Sequence, residues 1–326
     1  MQSQNINMKK VFLLGAMVCA LGMMTACKSN SEKTSWEVDG IHGKVKTDKV
    51  SIYEAVVKFG ETQKGKLEDY ADHPLRYAQY SCITITNYNE EGMRTSIDAY
   101  DDDMELRGKA VFAFDGKKLS SIKAYDEDGE LDYESTLTYD TQTGKLSEQV
   151  NQSYSKYGPN LFRYKYSYDE DGTLHIETYR EDGTTEKRSV QETIKKGKIQ
   201  KRVQCNEKGE PMVITLFDDE EHVLYVMNKT TGDSISYDYN ENGDVVHLIV
   251  LQEEYKDAYG NMDYSVINDS TPVLDTNNTA NPPIKVRKTT EYKFEYEYDE
   301  HNNWIKRITY KGIKPLYIEE REIEYY

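Results

Sequence analysis

Leu131-Asp-Tyr133-Glu-Ser135-Thr-Leu137-Thr-Tyr139 runs straight into Asp140-Thr-Gln-Thr-Gly144, and these residues decide the fold. In an extended chain Leu131, Tyr133, Ser135, Leu137 and Tyr139 share one face, and Asp132, Glu134, Thr136 and Thr138 share the other. Such period-two patterning marks a half-buried strand of an antiparallel sheet. The residues after Tyr139 are turn chemistry. An Asp or Asn side chain accepts a backbone hydrogen bond from two residues ahead and starts the turn. Glycine takes the left-handed conformation that closes a type I turn with a bulge. The aromatic ends its strand by packing on the sheet face.

The same string recurs along the chain. Copies stand at Tyr88–Gly92, Tyr125–Gly129, Tyr168–Gly172, Tyr179–Gly183, Cys205–Gly209 and Tyr239–Gly243. Weaker ones begin at Tyr100, Phe114, Phe217 and Tyr298. Many neighbours are 11 to 14 residues apart, one strand plus one turn. Tyr164, Tyr166 and Tyr168 alternate with polar residues, as do Tyr292, Phe294, Tyr296 and Tyr298, and no helical period stands out after residue 30. Val245 to Leu251 is apolar on both faces apart from His247, which predicts a strand covered on both sides with a core histidine bonded to backbone. Asn268 to Pro283, rich in Asn, Thr, Asp and Pro, reads as a flexible loop before a final set of strands.

Hydrophobic residues make up only 37%, yet there are 28 tyrosines, which suit a sheet with one half-exposed face and argue against disorder. A sheet of a dozen or more strands cannot stay flat and uncovered. The expected fold is therefore all-β: an antiparallel meander of hairpins curled into a large twisted sheet, a partial barrel or roll, with tyrosines on its inner face. A closed barrel and a propeller satisfy the same pattern.

With these strings laid out, the chain resembles the YD-repeat (RHS-like) family, whose units centre on Tyr-Asp-x-x-Gly, and within it degenerate-repeat lipoproteins of Gram-negative envelopes. The resemblance covers about residues 80 to 310 and is sharpest at Tyr125–Gly129 and Tyr168–Gly172. Tyr298-Asp-Glu-His-Asn-Asn303-Trp304 is similar to the Tyr-Asp-x-x-Gly-Asn-Trp form, with Asn302 in place of glycine; Asn tolerates positive φ, so the turn should survive. The resemblance implies an antiparallel β array and little about activity.

The N-terminus carries a different signal. Lys9 and Lys10 precede the uncharged stretch Val11 to Met24, which is followed by Thr25-Ala26-Cys27. A basic start, an apolar segment too short to span a bilayer and small residues before a cysteine match an export signal with a lipobox. Residues 1–26, with the start at Met8, are read as signal peptide, Cys27 as the lipid-attachment residue, 27–43 as a lipidated tether, and 44–326 as the tyrosine-rich β domain with its loop near 268–283. Lys28 is not the Asp that retains lipoproteins in the inner membrane of enteric bacteria. The expected address is the outer membrane, with the periplasmic face preferred to the cell surface.

Without Lys9 and Lys10, 39 basic side chains face 58 acidic ones, a net charge of −19. That excludes nucleic acid as a partner and leaves the membrane, through the lipid, together with a glycan or an envelope protein. No GxSxG, P-loop, HExxH or paired Cys/His motif occurs, so no catalytic residue, metal site or cofactor is assigned. In Asp126–Leu137 the sixth and twelfth positions of a calcium loop are both Leu. Cys82 and Cys205 read as two separate buried thiols rather than a bridge. Ser234 and Ser270, each in an Asp-Ser/Thr-apolar-like triplet, resemble O-glycosylation acceptors. The reading is a non-enzymatic binding or scaffold module of the envelope. The alternatives are a carrier of lipid or apolar ligand in a half-barrel, and a hydrolase of envelope polymers.

Overall fold

The structure, a computed structural model, describes residues 33–68, 81–154, 160–256 and 284–326. The signal peptide, Cys27 and the expected 268–283 loop lie outside them.

A one-turn helix, α1 (Ser35–Val38), is followed by β1 (Val45–Lys58), β2 (Glu61–Leu67), β3 (Ile83–Tyr88), β4 (Arg94–Tyr100), β5 (Leu106–Asp115) and β6 (Lys118–Tyr125). Then come β7 (Leu131–Tyr139), β8 (Leu146–Ser153), β9 (Asn160–Tyr168), β10 (Leu174–Arg180), β11 (Thr185–Lys195), β12 (Lys198–Cys205) and β13 (Pro211–Phe217). The last are β14 (Val223–Asn228), β15 (Ser234–Tyr239), β16 (Val245–Lys256), β17 (Ile284–Tyr298), β18 (Trp304–Lys311) and β19 (Lys314–Tyr325).

From β3 to β19 every strand pairs antiparallel with the next. β1 serves two neighbours. Along one edge Val45–Glu54 pairs with Tyr325–Tyr317 of β19; along the other Thr47–Ser51 pairs with Asn87–Ile83 of β3. The ring is thus complete: β1 and β3–β19 form a closed barrel of 18 strands. β2 stands outside the ring and pairs only with Tyr53–Lys58 of β1. The antiparallel meander is as expected, whereas the partial barrel, roll or open twisted sheet is corrected to a closed barrel. An open sheet of this size would leave two rows of unpaired amides and carbonyls, and closure removes both edges.

Antiparallel alternation assigns each connection to one of two rims. The start of β1, the end of β19 and the tight turns at 88–92, 115–118, 139–144, 168–172, 195–198, 217–221, 239–243 and 298–303 share the N-terminal rim. The far rim holds the remaining described turns and the strand ends that border 69–80, 155–159 and 257–283.

The turns work as their residue types require. Asp126 Oδ1 accepts the amides of Asp128 (3.0 Å) and Glu130 (2.9 Å). The same pair of bonds recurs at Asp101, Asn206, Asp218, Asn240 and Asp299. The fourth residue of these turns has positive φ, 79° at Gly129. Weaker copies keep that conformation without glycine: Met104 at 63°, Glu221 at 70° and Asn302 at 64°. The last meets the expectation for Asn302.

Burial follows the alternation. In β7, Tyr133, Ser135 and Leu137 are buried while Thr136 and Thr138 are exposed. Leu137 joins Leu146, Leu174 and Val190 in a cluster along the inner face, flanked by Tyr139, Tyr166 and Tyr168. In β16, Leu248 is buried on the inner face, but Ile249 and Leu251 point outward and are only half-buried, so that strand is not sealed on both sides. Folding contacts also begin earlier than residue 44. α1 opens on a capping box between Thr34 and Glu37, and Ile41 is buried against Val45 and Tyr88.

Met104 is the clearest strained turn residue: its side chain is half-exposed, and a Cβ in the left-handed region costs about 1–2 kcal/mol. Met104→Gly should therefore raise stability by about 1 kcal/mol after the extra backbone entropy of glycine, read as a higher midpoint of urea unfolding. Gly129→Ala should lower it by a similar amount.

Candidate functional site: the inner wall of the barrel

Register fixes which side chains point inward. Tyr164 faces Gln149 and Thr178; Tyr166 faces Ile176; Tyr237 faces Leu248; Tyr296 faces Arg307. Many of these rings are half-buried rather than sealed. A barrel of this strand number is wider than its side chains can fill, so the wall encloses a lumen. Its aromatics come as near-parallel pairs two residues apart on one strand: Phe162–Tyr164, Tyr237–Tyr239 and Tyr296–Tyr298, with centroids 6.5, 6.4 and 5.9 Å apart.

Several tyrosine hydroxyls have a structural task at the N-terminal rim. Tyr139 donates to the Leu119 carbonyl (3.0 Å), Tyr239 to Val223 (2.8 Å) and Tyr296 to Val245 (2.7 Å). Each acceptor lies beyond the end of the ladder its strand shares with the tyrosine's strand. The hydroxyl replaces the missing amide, which a buried carbonyl requires. Burial pushes the Tyr239 hydroxyl up to about 12, and raises Tyr139 and Tyr296 as well.

Polar side chains interleave with the rings. Ser135 donates to Asn151 Oδ1 (2.8 Å), Gln149 Nε2 donates to both Ser135 Oγ (3.1 Å) and Asn151 Oδ1 (2.9 Å), and Tyr166 donates to Gln149 Oε1 (2.9 Å). This stretch of β7–β9 is an amide-and-hydroxyl surface beside aromatic faces.

At the closing seam the inner wall becomes ionic. Arg307 of β18 lies opposite Glu319 of β19 and forms a two-bond pair with it. Arg321 grips Asp48 of β1 through Nε (2.7 Å) and Nη2 (2.8 Å). Both guanidinium carbons lie 4.9 Å from the Trp304 ring, and Trp304 packs on Val50 and Ile52. These pairs are nearly or fully buried: Glu319 is 0% exposed. The N-terminal segment seals this seam at the rim. Trp36 Nε1 donates to the Val45 carbonyl (2.9 Å), Asp39 pairs with Arg94 and accepts from Tyr88 (2.9 Å), and the His42 amide donates to Asn303 Oδ1 (2.8 Å). A Cβ on Gly92 would collide with Trp36, 2.4 Å from its ring, which explains glycine there.

The outer wall is different in kind. Cross-strand ion pairs run over much of it: Lys109–Asp98 (2.9 Å), Lys123–Glu134 (3.2 Å), Lys187–Glu177 (2.8 Å), Lys306–Glu297 (2.6 Å) and Lys49–Glu322 (2.7 Å). Among the described residues the broadest run of outward apolar side chains is on β12–β16, where Val203, Ile214, Leu216, Tyr225, Met227, Ile249 and Leu251 share a face; a smaller set, Ile83, Ile85, Ile308 and Ile318, faces outward beside the seam.

The sequence-level candidates fall as follows. Cys27 and Ser270 lie outside the described residues. Ser234 opens β15 on the outer face, paired with Met227 and Leu251. Cys82 and Cys205 are buried and unbridged, as read from the sequence. His247 is a correction: it points outward and binds Asp238 Oδ2 (3.0 Å) and Glu291 Oε1 (2.8 Å) rather than backbone in a core. Its apolar sequence neighbours misled, because its partners sit on adjacent strands. Sequence spacing also missed Asp218, Glu220 and His222, whose ligand atoms lie within 4.8 Å of one another. There Asp218 Oδ1 already holds the amides of the other two, so the grouping is the turn itself. The seam residues Asp48, Trp304, Arg307, Glu319 and Arg321 gave no local signal.

No family model matches the chain, and no curated protein matches it. Among solved structures it is similar to a porin-like protein from Bacteroides uniformis, at 9% identity and a TM-score of 0.33, over 86% of this chain and 98% of that one. A porin-like protein from Bacteroides vulgatus aligns at 12% identity and a TM-score of 0.30, over 87% and 99%. Membership of the YD-repeat family is therefore corrected: no family model matches the chain, no YD or RHS family is indicated, and both of these solved structures are porin-like. The Tyr-Asp-x-x-Gly strings are bulged-turn chemistry, which any antiparallel meander can use.

Removing one partner of a buried ion pair strands the other charge, at about 3–5 kcal/mol, whereas replacing both with apolar residues is often neutral. Arg321→Ala should accordingly destabilise the barrel by about 3–5 kcal/mol, and the double variant Asp48→Leu/Arg321→Met should unfold near the wild-type midpoint in urea, followed by circular dichroism.

Proposed function

We propose that this chain is a non-enzymatic binding module of the bacterial outer membrane, held there by lipid on Cys27 and taking its ligand against the inner wall of the barrel. The observation that carries the reading is the division between the two faces of one sheet. Outside, cross-strand ion pairs suit water. Inside, half-exposed aromatic pairs alternate with amides and hydroxyls, a surface that stacks on and hydrogen-bonds to a sugar or a peptide.

A barrel that spans a membrane instead shows lipid an apolar band about 25 Å tall, with aromatic girdles. Lys and Glu at outward positions of β5–β7, β10–β11 and β17–β19 oppose that arrangement, and the described outward apolar side chains form a stripe on β12–β16 and a smaller set beside the seam rather than a continuous band. Attachment then falls to the lipid. The inner wall's buried ion pairs and amide network also disfavour a greasy half-barrel carrying lipid.

The test compares the full precursor with Cys27→Ala in cells fed radioactive palmitate, followed by purification with and without detergent. The wild type should be labelled and need detergent and Cys27→Ala should be unlabelled, while a chain beginning at Lys28, without the apolar stretch 11–24 and without Cys27, should be β-rich and monodisperse in plain buffer. Persistent label would show that the lipid is not on Cys27. A detergent requirement in the chain beginning at Lys28 would show that the wall itself meets lipid.

A further inference from the structure

We infer that the barrel stands upright on its membrane, with the N-terminal rim against the lipid surface and the far rim facing the aqueous phase. This rests on the lipid anchor at Cys27 proposed above. The described chain enters at the N-terminal rim and is fastened there. Trp36 donates from its amide to the Gly92 carbonyl (3.2 Å), the Arg94 amide donates to Ser35 Oγ (2.9 Å), and Asn303 Nδ2 donates to the His42 carbonyl (2.7 Å). These bonds tie α1 and residues 39–42 to the turns 88–92 and 298–303, both on that rim.

Reach decides the orientation. From Cys27 to Lys33, where the described chain begins, six residue steps span at most about 20 Å. The distance from the N-terminal rim to the far rim is longer: the part of β1 within the ring, Val45–Glu54, has ten residues, about 33 Å at 3.3 Å each, or roughly 25 Å of height at a barrel tilt near 40°. The lipid can therefore place the N-terminal rim at the headgroups and cannot place the far rim there in an upright barrel. The shapes of the rims agree. The strand-to-strand connections at the N-terminal rim are all short turns, whereas the far rim carries the fully exposed tips Phe59 and Ile313. A ligand bound to the inner wall then enters from the side away from the membrane.

The full lipidated chain is reconstituted on phosphatidylethanolamine–phosphatidylglycerol vesicles bearing a nitroxide on a fraction of the headgroups. A fluorophore is placed at Glu170→Cys, in the N-terminal-rim turn 168–172, or at Glu127→Cys, in the far-rim turn 125–129. Buried Cys82 and Cys205 set the labelling background in the unsubstituted chain. Quenching several-fold stronger at position 170 than at 127 is expected. Equal quenching, which means a barrel lying on its side, or stronger quenching at 127 overturns the orientation. A chain that fails to float with the vesicles overturns the anchor, and the orientation with it.

Discussion

The ladder between β1 and β19 is the constraint on which the rest of the structure depends. Seventeen consecutive hairpin-linked strands, β3 to β19, would end in two open edges. β1 fills the gap because the same stretch of it offers one hydrogen-bonding edge to β19 and the other to β3. An even strand number makes the closing pair antiparallel, like all the others. The ionic groups concentrate where the ring closes: Arg321–Asp48 spans the seam itself, Arg307–Glu319 stands one strand away, and Trp304 lies against both guanidiniums. Such pairs add little net stability, but their geometry penalises any other register. A one-residue slip would turn each of these charges to the wrong face.

Once closed, the sheet has an inside and an outside that no longer share a solvent environment. The outside is free to be charged, and Lys–Glu pairs between neighbouring strands lie over it. The inside can hold wide aromatic side chains without packing them against an opposite sheet, because the ring is too large to collapse. Some tyrosine hydroxyls are committed to carbonyls where ladders run out, as at Tyr139, Tyr239 and Tyr296. The rings around them remain as surface.

What could be read from sequence was local. The Asp-x-x-Gly turns, the alternation in β7 and β17, and the tolerance of Asn302 for positive φ depend on residues within a few positions of one another, and they appear as read. Closure was illegible because it joins residues 45–54 to 317–325, and β19 carries charges on both faces. His247 was misplaced because its partners, Asp238 and Glu291, are 9 and 44 residues away. Trp36 and Ile41 were assigned to a tether because they stand in polar surroundings and find their apolar partners only across the seam. The turn motif also pointed to a repeat family, since a string of turn residues reports a bulged hairpin whatever the ancestry of the sheet.

Closure of the ring is best tested by a disulfide across it. Lys49 of β1 and Glu322 of β19 are directly opposite on the outer face, with the Cα spacing of an antiparallel pair, which suits a disulfide. The double variant Lys49→Cys/Glu322→Cys, oxidised at low concentration, should form an intramolecular bond that shifts mobility on a non-reducing gel, with the circular dichroism spectrum unchanged. Thiols that stay free, or that link only between molecules, would show that β1 and β19 do not meet and that the sheet is open.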